Sequence, residues 1–485
     1  MTATNTTPMV KQYRELKAQH PGTLLFFRLG DFYELFFDDA VVGARELQIT
    51  LTARHKEHAE PIPMCGVPHH SAANYIARLV RKGYRVAICE QTEEPSKAKK
   101  LVRREVVRIV TPGTPVDPQL LEPRESVYLA ATCAQGETVG AAFLDISTGE
   151  FRATQASGTD AWAVIASDIG SYSPRELIFP ASLTPLVRAG FASTPRTKSL
   201  PIESGGPQQY SNDSTPNAST IFAGATLTPL DDWLWQSEDS ADLLKQQFGV
   251  RSLDGHGLTS RTEAIRAAGA CLRYARETQR AAAAHISDIL YFEPQDHLVL
   301  DSLTVRNLEL VEGLSASISH SLLDVIDETA TGMGARLLRS WLLRPSIARG
   351  EVEARHGAVA ELHASHIRRD SLRSRLKEVA DVQRLTGRLN LGSASPRDLV
   401  ALRRSLDQVP QIREALTNSE SSLLQVLHES ADELADVRGL IASAIQDDPP
   451  AKVIDGGVIR GGYSAELDEV RALSRDAKQT IAAME

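Results

Sequence analysis

An apolar run, Leu24-Leu25-Phe26-Phe27-Arg28-Leu29, is followed at once by Gly30-Asp31 and then by Phe32-Tyr33-Glu34-Leu35-Phe36-Phe37. The first run reads as a buried strand. The second reads as a helix, with Asp31 as its N-cap. At about 100° per residue, Phe32, Leu35 and Phe36 fall on one side and Tyr33 and Phe37 on another. That arc is too wide for a single buried stripe, so an aromatic here packs on something other than its own core. Periodicity leaves two readings open. Either all five apolar side chains are core and Glu34 is an ordinary solvated carboxylate, or a stacking aromatic and a hydrogen-bonding acid two residues later both face a ligand.

The rest of the N-terminal portion alternates. Residues 7–19 are predicted as a helix, with Thr7 as N-cap, Pro8 at the first helical position and Pro21-Gly22 just beyond the end. Ile49-Thr50-Leu51-Thr52 has strand character. The segment 61–70 carries three prolines and reads as a rigid loop. A helix over about 71–82 stops at Gly83, and Arg85-Val86-Ala87-Ile88-Cys89 is another strand. Such alternation indicates a small mixed α/β domain, ending at the breaker Thr111-Pro112-Gly113-Thr114-Pro115. Residues 125–188 look α/β again, with a strand at Val139–Leu144 and a turn from Asp145 to Phe151. Residues 192–220, rich in Pro, Ser, Thr, Gly and Asn, read as a flexible insertion. The character changes near 259. Ala264–Ala284 is a long Ala/Arg/Leu helical pattern, and 351–445 is nearly all helix-forming, without a sustained heptad or fixed repeat. Asp455–Tyr463 is turn-rich, and a helix from about Ser464 runs to Glu485.

Composition narrows the class. The 485 residues suggest about three domains. No apolar stretch approaches the ~18 residues of a membrane span, and Met1–Pro8 lacks the basic and apolar regions of a signal peptide. Cys65, Cys89, Cys133 and Cys271 lie far apart, which fits a reducing cytoplasm. Cys65 with His69 and His70 sketches a metal site, but no fourth ligand stands at a usual spacing. The net charge of −9 is unevenly spread. Residues 1–113 hold 17 Lys and Arg against 12 Asp and Glu, a surplus of five, so the remainder carries −14. A basic N-terminal portion on an acidic body suits a grip on a polyanion at selected places, and chance variation between domains is the alternative. Lys97, Lys99, Lys100, Arg103, Arg104 and Arg108 form the densest basic cluster, able to neutralise phosphates or simply to be solvated.

Three motifs in order, Gly30-Asp31-Phe32-Tyr33-Glu34, Pro61-Ile62-Pro63-Met64-Cys65-Gly66-Val67-Pro68-His69-His70 and Ala87-Ile88-Cys89-Glu90-Gln91, resemble the mismatch-recognition domain of MutS DNA mismatch-repair proteins. Leu323–Pro345 resembles the core and lever of that family, with Gly332 where a proline is expected before Met333. The resemblance implies a multidomain α/β plus all-α chain. Its parts would be a mixed α/β mismatch-recognition domain (1–113), a ribonuclease-H-like α/β connector (124–250), a helical core/lever domain (259–445) and the start of a clamp domain (446–485). A nuclease reading of the connector finds Asp145 but no convincing carboxylate partners for two-metal chemistry.

By resemblance, the Phe-x-Glu element maps onto Phe32 and Glu34. Phe32 would wedge beside a mispaired base and Glu34 would hydrogen-bond it. Leu29, Arg54, Met64 and Arg108 are secondary candidates for DNA contact, with core packing or surface salt bridges as the competing roles. Arg460 and Lys478 in the partial clamp are candidates for phosphate contact. The family also implies a homodimer when full length, MutL and a sliding clamp as partners, a cytoplasmic setting, and ATP with Mg²⁺ in an ATPase domain. No Gly-x-x-x-x-Gly-Lys-Ser/Thr sequence occurs here, nor any Gly-Lys pair. The chain is therefore expected to be an N-terminal portion, with no catalytic, cofactor or metal residues of its own. An ATP-driven repair enzyme seen in half, and a family paralogue acting as a structure-selective DNA-binding scaffold without repair activity, are the competing readings.

Overall fold

Two strand-rich layers and a helical body are built from these segments. The computed structural model describes residues 7–54, 61–93, 102–189, 224–313 and 320–484, with side chains as far as 475. Lys97, Lys99, Lys100 and the 192–220 insertion lie outside the described residues. The chain divides into two compact units, Met1–Asp327 with Leu338–Pro345, and Glu328–Leu337 with Ser346–Glu485.

The first unit opens with a six-stranded sheet. Its strands are β1 (Thr23–Leu29), β2 (Phe32–Phe36), β3 (Thr52–Arg54), β4 (Ile62–Pro68), β5 (Arg85–Gln91) and β6 (Arg104–Val110), in the order β3-β4-β2-β1-β5-β6. β1 is antiparallel to β2 and parallel to β5. Its continuous apolar run follows from burial on both faces. Leu24 and Phe26 pack with helices α2 (Phe37–Leu47) and α3 (Ala72–Arg81), while Leu25 and Phe27 pack with α1 (Pro8–Gln19). α1 is fixed by buried Asp39, which accepts from the Tyr13 hydroxyl (2.9 Å), the Leu25 N–H (3.0 Å) and Lys17 Nζ (2.7 Å). α2 approaches the sheet closely at Gly43, where a Cβ would stand 2.9 Å from Leu35 Cδ2.

Two expectations are corrected here. Phe32–Phe36 is a strand, not a helix, and the helix starts only at Phe37. Gly30-Asp31 is a two-residue hairpin turn with Gly30 at φ +58°, so Asp31 caps nothing. Residues 62–68 form a strand within the sheet rather than a loop. Pro68 pairs with Phe32 at the last rung of the β2–β4 ladder, while Pro63 lies one residue beyond its other end and takes the middle rung of the three-rung ladder to the edge strand, opposite Ala53.

The second sheet of this unit contains β7 (Leu129–Gln135), β8 (Thr138–Asp145), β9 (Glu150–Ser157), β10 (Glu176–Pro180), β11 (Thr226–Leu230) and β12 (Leu290–Tyr291), ordered β11-β10-β7-β8-β9-β12. An antiparallel β7-β8-β9 meander is extended by β10 and β11, which run parallel to β7. This arrangement is the ribonuclease-H-like layer expected. One face carries α4 (Ala161–Tyr172), where Tyr172 stacks on Phe143 with ring centroids 3.9 Å apart. The helical pattern beginning near 259 belongs to the other face. α5 (Thr184–Arg188) packs with α4 through Val187, whereas α6 (Ser237–Phe248) packs with α7 (Thr262–Gln279), which buries Ala264, Ala267, Ala268, Cys271 and Ala275 against the sheet. Small side chains allow that approach, and at Gly140 a Cβ would lie 2.2 Å from the Glu263 carbonyl carbon. Buried Glu176 accepts from the Gly113 N–H (3.0 Å), Thr228 (2.7 Å) and Tyr274 (2.6 Å), tying the Thr111–Pro115 segment to this layer.

The second unit is helical. Helices Val382–Asn390, Pro396–Leu406 and Ala435–Ala444 share a core of Leu385, Val400, Leu406, Ile441 and Ile445. A second cluster joins Ala358, Leu372, Leu416 and Leu424. The helix Gly332–Leu343 starts at Gly332 without the proline, because the Thr331 hydroxyl accepts from the Gly334 N–H at 3.0 Å. Arg336 is bidentate to Asp381, at 2.6 and 2.9 Å.

Candidate nucleic-acid interface

Strand geometry changes what the Phe-x-Glu spacing means. In a helix, positions i and i+2 sit about 200° apart and cannot face one ligand. In β2 they share a face, so Phe32 and Glu34 point the same way while Tyr33 and Leu35 enter the opposite core. Register extends this face across the neighbours. Leu29 pairs with Phe32, Phe27 with Glu34, Gly66 with Glu34 and Pro68 with Phe32. Met64, Ile62, Thr52 and Arg54 continue it through β4 and β3.

α1 covers only one end of this face. There Phe36 is buried with Tyr13 and Phe27. At the other end Phe32 keeps 46% of its surface exposed. The open ring, beside half-buried Leu29, leaves an apolar surface at the hairpin tip that a ligand can reach. The tip is braced from behind. Tyr33 donates to Glu90, the Arg28 guanidinium lies 5.6 Å from the Tyr33 ring centre and 3.9 Å from Glu90, and the His69 N–H donates to the Asp31 carbonyl at 2.8 Å. Burial, then the hydrogen bond to Glu90, pushes the Tyr33 phenol well above its ordinary value.

Glu34 is mostly enclosed, its side chain 19% exposed against 38% for Arg54, which pairs with it at 3.4 Å. Burial raises the Glu34 carboxyl above the ordinary range, and the Arg54 charge works against that rise. Gly66 lies beside it, where a Cβ would meet the Tyr33 carbonyl at 3.3 Å and Glu34 Cγ at 3.5 Å.

Of the secondary candidates, Leu29, Met64 and Arg54 fall on the Phe32 face. Leu29 and Met64 are half-buried and also pack on the α1 core, so both their roles meet at one place. Arg108 does not join them. A bulge between Ile88 and Cys89 sets Arg108 opposite Ile88, on the α2–α3 side of the sheet. Arg104, from the same basic cluster, is buried and structural. It donates to the Arg28 carbonyl at 2.7 Å and to Gln12 at 3.1 Å, and lies 4.9 Å from the Phe27 ring centre. Arg103 is exposed and pairs with Glu105 at 2.6 Å.

In the second unit, Arg460 donates to the Ile445 carbonyl at 3.2 Å and to Asp447 at 2.9 Å. It braces the Ile445–Ile459 bridge. Hydrogen bonds from Arg403 and Arg460 hold the Asp447 carboxyl below its usual range. The Lys478 side chain lies outside the described residues. Asp145 is buried and accepts from the Val127 N–H (3.2 Å), the Ser147 N–H (2.9 Å) and the Ser147 hydroxyl (2.6 Å), which organises the turn into β9. Cys65 is buried beneath α2, with its thiol pushed up to about 11 by burial. Among the described residues, no group of three His, Cys, Asp or Glu side chains is placed to hold a metal, and no helix is long and apolar enough to cross a membrane. Sequence reasoning missed Gly66, Pro68 and Glu90, and the partnership of Arg54 with Glu34. The Gly-Asp pair between two apolar runs was the available signal, because as a hairpin turn it fixes their register.

Comparison with known proteins agrees with this architecture. Residues 7–119 match the model of MutS domain I, 127–287 that of MutS domain II and 303–485 that of MutS domain III. The DNA mismatch repair protein MutS of Solibacter usitatus is 46% identical over 485 residues, covering 99% of this chain and 52% of the relative. Those of Symbiobacterium thermophilum and Myxococcus xanthus are 42% and 41% identical, over 100% and 99% of this chain and 53% and 50% of theirs. The chain thus spans about half the length of the curated relatives it matches. With three consecutive domain models matched in order, and an exposed Phe-x-Glu face in the first of them, the chain belongs to the MutS family.

Proposed function

We propose that residues 1–113 recognise mismatched or looped-out bases in double-stranded DNA, with Phe32 as the wedge and Glu34 as the hydrogen-bonding partner of the displaced base. The observation that carries this reading is the open Phe32 ring on the same sheet face as a half-desolvated Glu34. An apolar wedge kinks DNA at the expense of a few kcal/mol of unstacking. A mispair has already lost part of that stacking, so it yields first. Recognition therefore reads deformability, which accommodates many mismatches. An ionised Glu34 only accepts hydrogen bonds, so it needs an N–H on the base or must itself carry a proton. Facing a correct, still-stacked pair, its charge meets the phosphates without compensation. Leu29 and Met64 would flank the inserted ring, and Arg54 would reach phosphate.

The division into recognition domain, connector (124–250), core/lever (259–445) and clamp start (446–485) is part of this reading, except that α7, packed on the connector sheet, is assigned to the connector. In the full-length protein we assign the coupling of recognition to ATP and Mg²⁺, dimerisation, and recruitment of MutL and a sliding clamp to family behaviour in a cytoplasmic setting. The described residues contain no phosphate loop to hold a nucleotide, and no step here passes through one. The test is fluorescence anisotropy of this chain with matched and single-mismatch duplexes across a salt series, with Phe32→Ala alongside. The expected result is a mismatch preference that the variant loses. Binding that ignores the mismatch and varies steeply with salt would overturn the reading for this chain.

A further inference from the structure

We propose that Arg54 is a positioning residue that sets the charge of Glu34, pairing with it in the free protein and passing to a DNA phosphate on binding. This inference rests on the mismatch-recognition reading above. Arg54 lies on the edge strand β3, two strands from β2, yet its guanidinium reaches across β4 to within 3.4 Å of Glu34 Oε2. The contact is diagonal, because Arg54 pairs with Ile62, four residues along β4 from Gly66, the residue opposite Glu34. At 38% exposure the Arg54 side chain is reachable from solvent, whereas Glu34 at 19% is largely withdrawn. An approaching phosphate therefore meets the arginine first, and Arg–phosphate pairing is as geometrically apt as Arg–carboxylate.

Among the described residues, Arg54 is the charged group facing Glu34. β1 offers Phe27 and Leu29 on this face, and β4 offers Met64, Gly66 and Pro68, none of which titrates. Farther along the same face stand Cys89, whose thiol burial pushes up to about 12, and Arg104 over Phe27. At the α1 end are Asp39 with Lys17 and Tyr13, and Arg14 lies over the Phe37 ring. Removing Arg54 from Glu34 thus leaves desolvation unopposed, and a nearby phosphate charge adds to it. Both favour the protonated acid. The neutral carboxyl then offers an O–H as well as an acceptor to the base. The exchange couples proton uptake to engagement of the hairpin.

The experiment is isothermal titration calorimetry of single-mismatch and matched duplexes into this chain, in buffers of different ionisation enthalpy, from about pH 5 to 8. Wild type is expected to take up at most about one proton on binding a mismatch, and Glu34→Gln none. In Arg54→Gln the free Glu34 carboxyl holds its proton more tightly than in wild type, so uptake should be smaller and displaced to higher pH. Arg54→Lys, which keeps the charge, should restore it. An Arg54→Gln uptake profile identical to wild type would overturn the inference, as would no uptake by a wild type that still prefers the mismatch. A wild type without mismatch preference would overturn the recognition reading itself, and this inference with it.

Discussion

Phe32 and Leu29 face each other across the Gly30-Asp31 turn, one ring left open to solvent and one side chain half-buried in the core behind it. That pairing fixes the parity of the whole of β2. Phe32, Glu34 and Phe36 then share one face, and α1, by covering only the Phe36 end, leaves Phe32 to whatever approaches the tip.

The two phenylalanines should separate stability from binding. Phe36→Ala removes a fully buried ring and is expected to destabilise the domain by about 3–5 kcal/mol. Phe32→Ala should leave stability within about 0.5 kcal/mol while weakening mismatch binding by about 1–3 kcal/mol. Denaturant unfolding monitored alongside anisotropy checks both. An equal stability loss in the two variants would contradict the assignment.

Gly30 holds φ +58°, and nothing lies within 4 Å of where its Cβ would stand. Gly30→Ala therefore meets no neighbour and strains only the backbone, at about 1–2 kcal/mol. Faster amide exchange at Phe32 and Tyr33, with the α3 amides unchanged, is the expected signature.

Asp39 satisfies three donors in a buried setting. Asp39→Ala should cost about 3–5 kcal/mol, because Lys17 loses its ion-pair partner and the Leu25 N–H its acceptor, while the Tyr13 hydroxyl keeps only the Phe36 carbonyl at 3.3 Å. In a chain of several domains a single melting midpoint is a poor gauge. Hydrogen exchange of β1 and α1 reports the loss locally, and unchanged protection there would refute it.

A pH signature belongs to the second sheet. Burial pushes the Asp168 carboxyl up to about 7, partly opposed by Arg344, and its Oδ2 has no hydrogen-bond partner. A folded-state value above the unfolded one means that the folded protein holds the proton more tightly. The stabilising effect is complete below the unfolded value near 4 and is lost as pH rises towards 7. Asp168→Asn, which cannot ionise, should remove that part of the pH slope, so the gap between variant and wild type shifts in the variant's favour from about pH 5 to 8. Hydrogen exchange of the α4 amides at both values, corrected for the intrinsic rate, measures it, and a constant gap would count against the shift.

How much of this was legible beforehand differs from element to element. The strands at 24–29, 85–89 and 139–144 and the helix after Pro8 announce themselves through apolar runs and end signals. The Phe-x-Glu pair could be picked out by resemblance. Its secondary structure was misjudged because Gly-Asp serves equally as a helix entry or a hairpin turn, and because a strand buried on both faces shows little alternation. The 62–68 strand was hidden by its prolines, which read against a strand inside a sheet. Arg104 and Arg108 are an even number apart, so alternation alone puts them on one face. The bulge beside Val107 separates them, and a one-residue slip of that kind leaves no trace in composition or periodicity. The Arg54–Glu34 pair joins residues of different strands, diagonally out of register, which no local pattern reveals.

The position of β2 third in a sheet of six has a mechanical consequence. Load applied to the Phe32 ring is shared by the ladders to β1 and β4, which stiffens the protein side of the proposed contact. On that proposal, displacement accumulates in the duplex. A hairpin of the same sequence on a mobile loop would recoil and report its own compliance. Held as it is here, it works as a gauge whose reading is the local give of whatever is pressed against it.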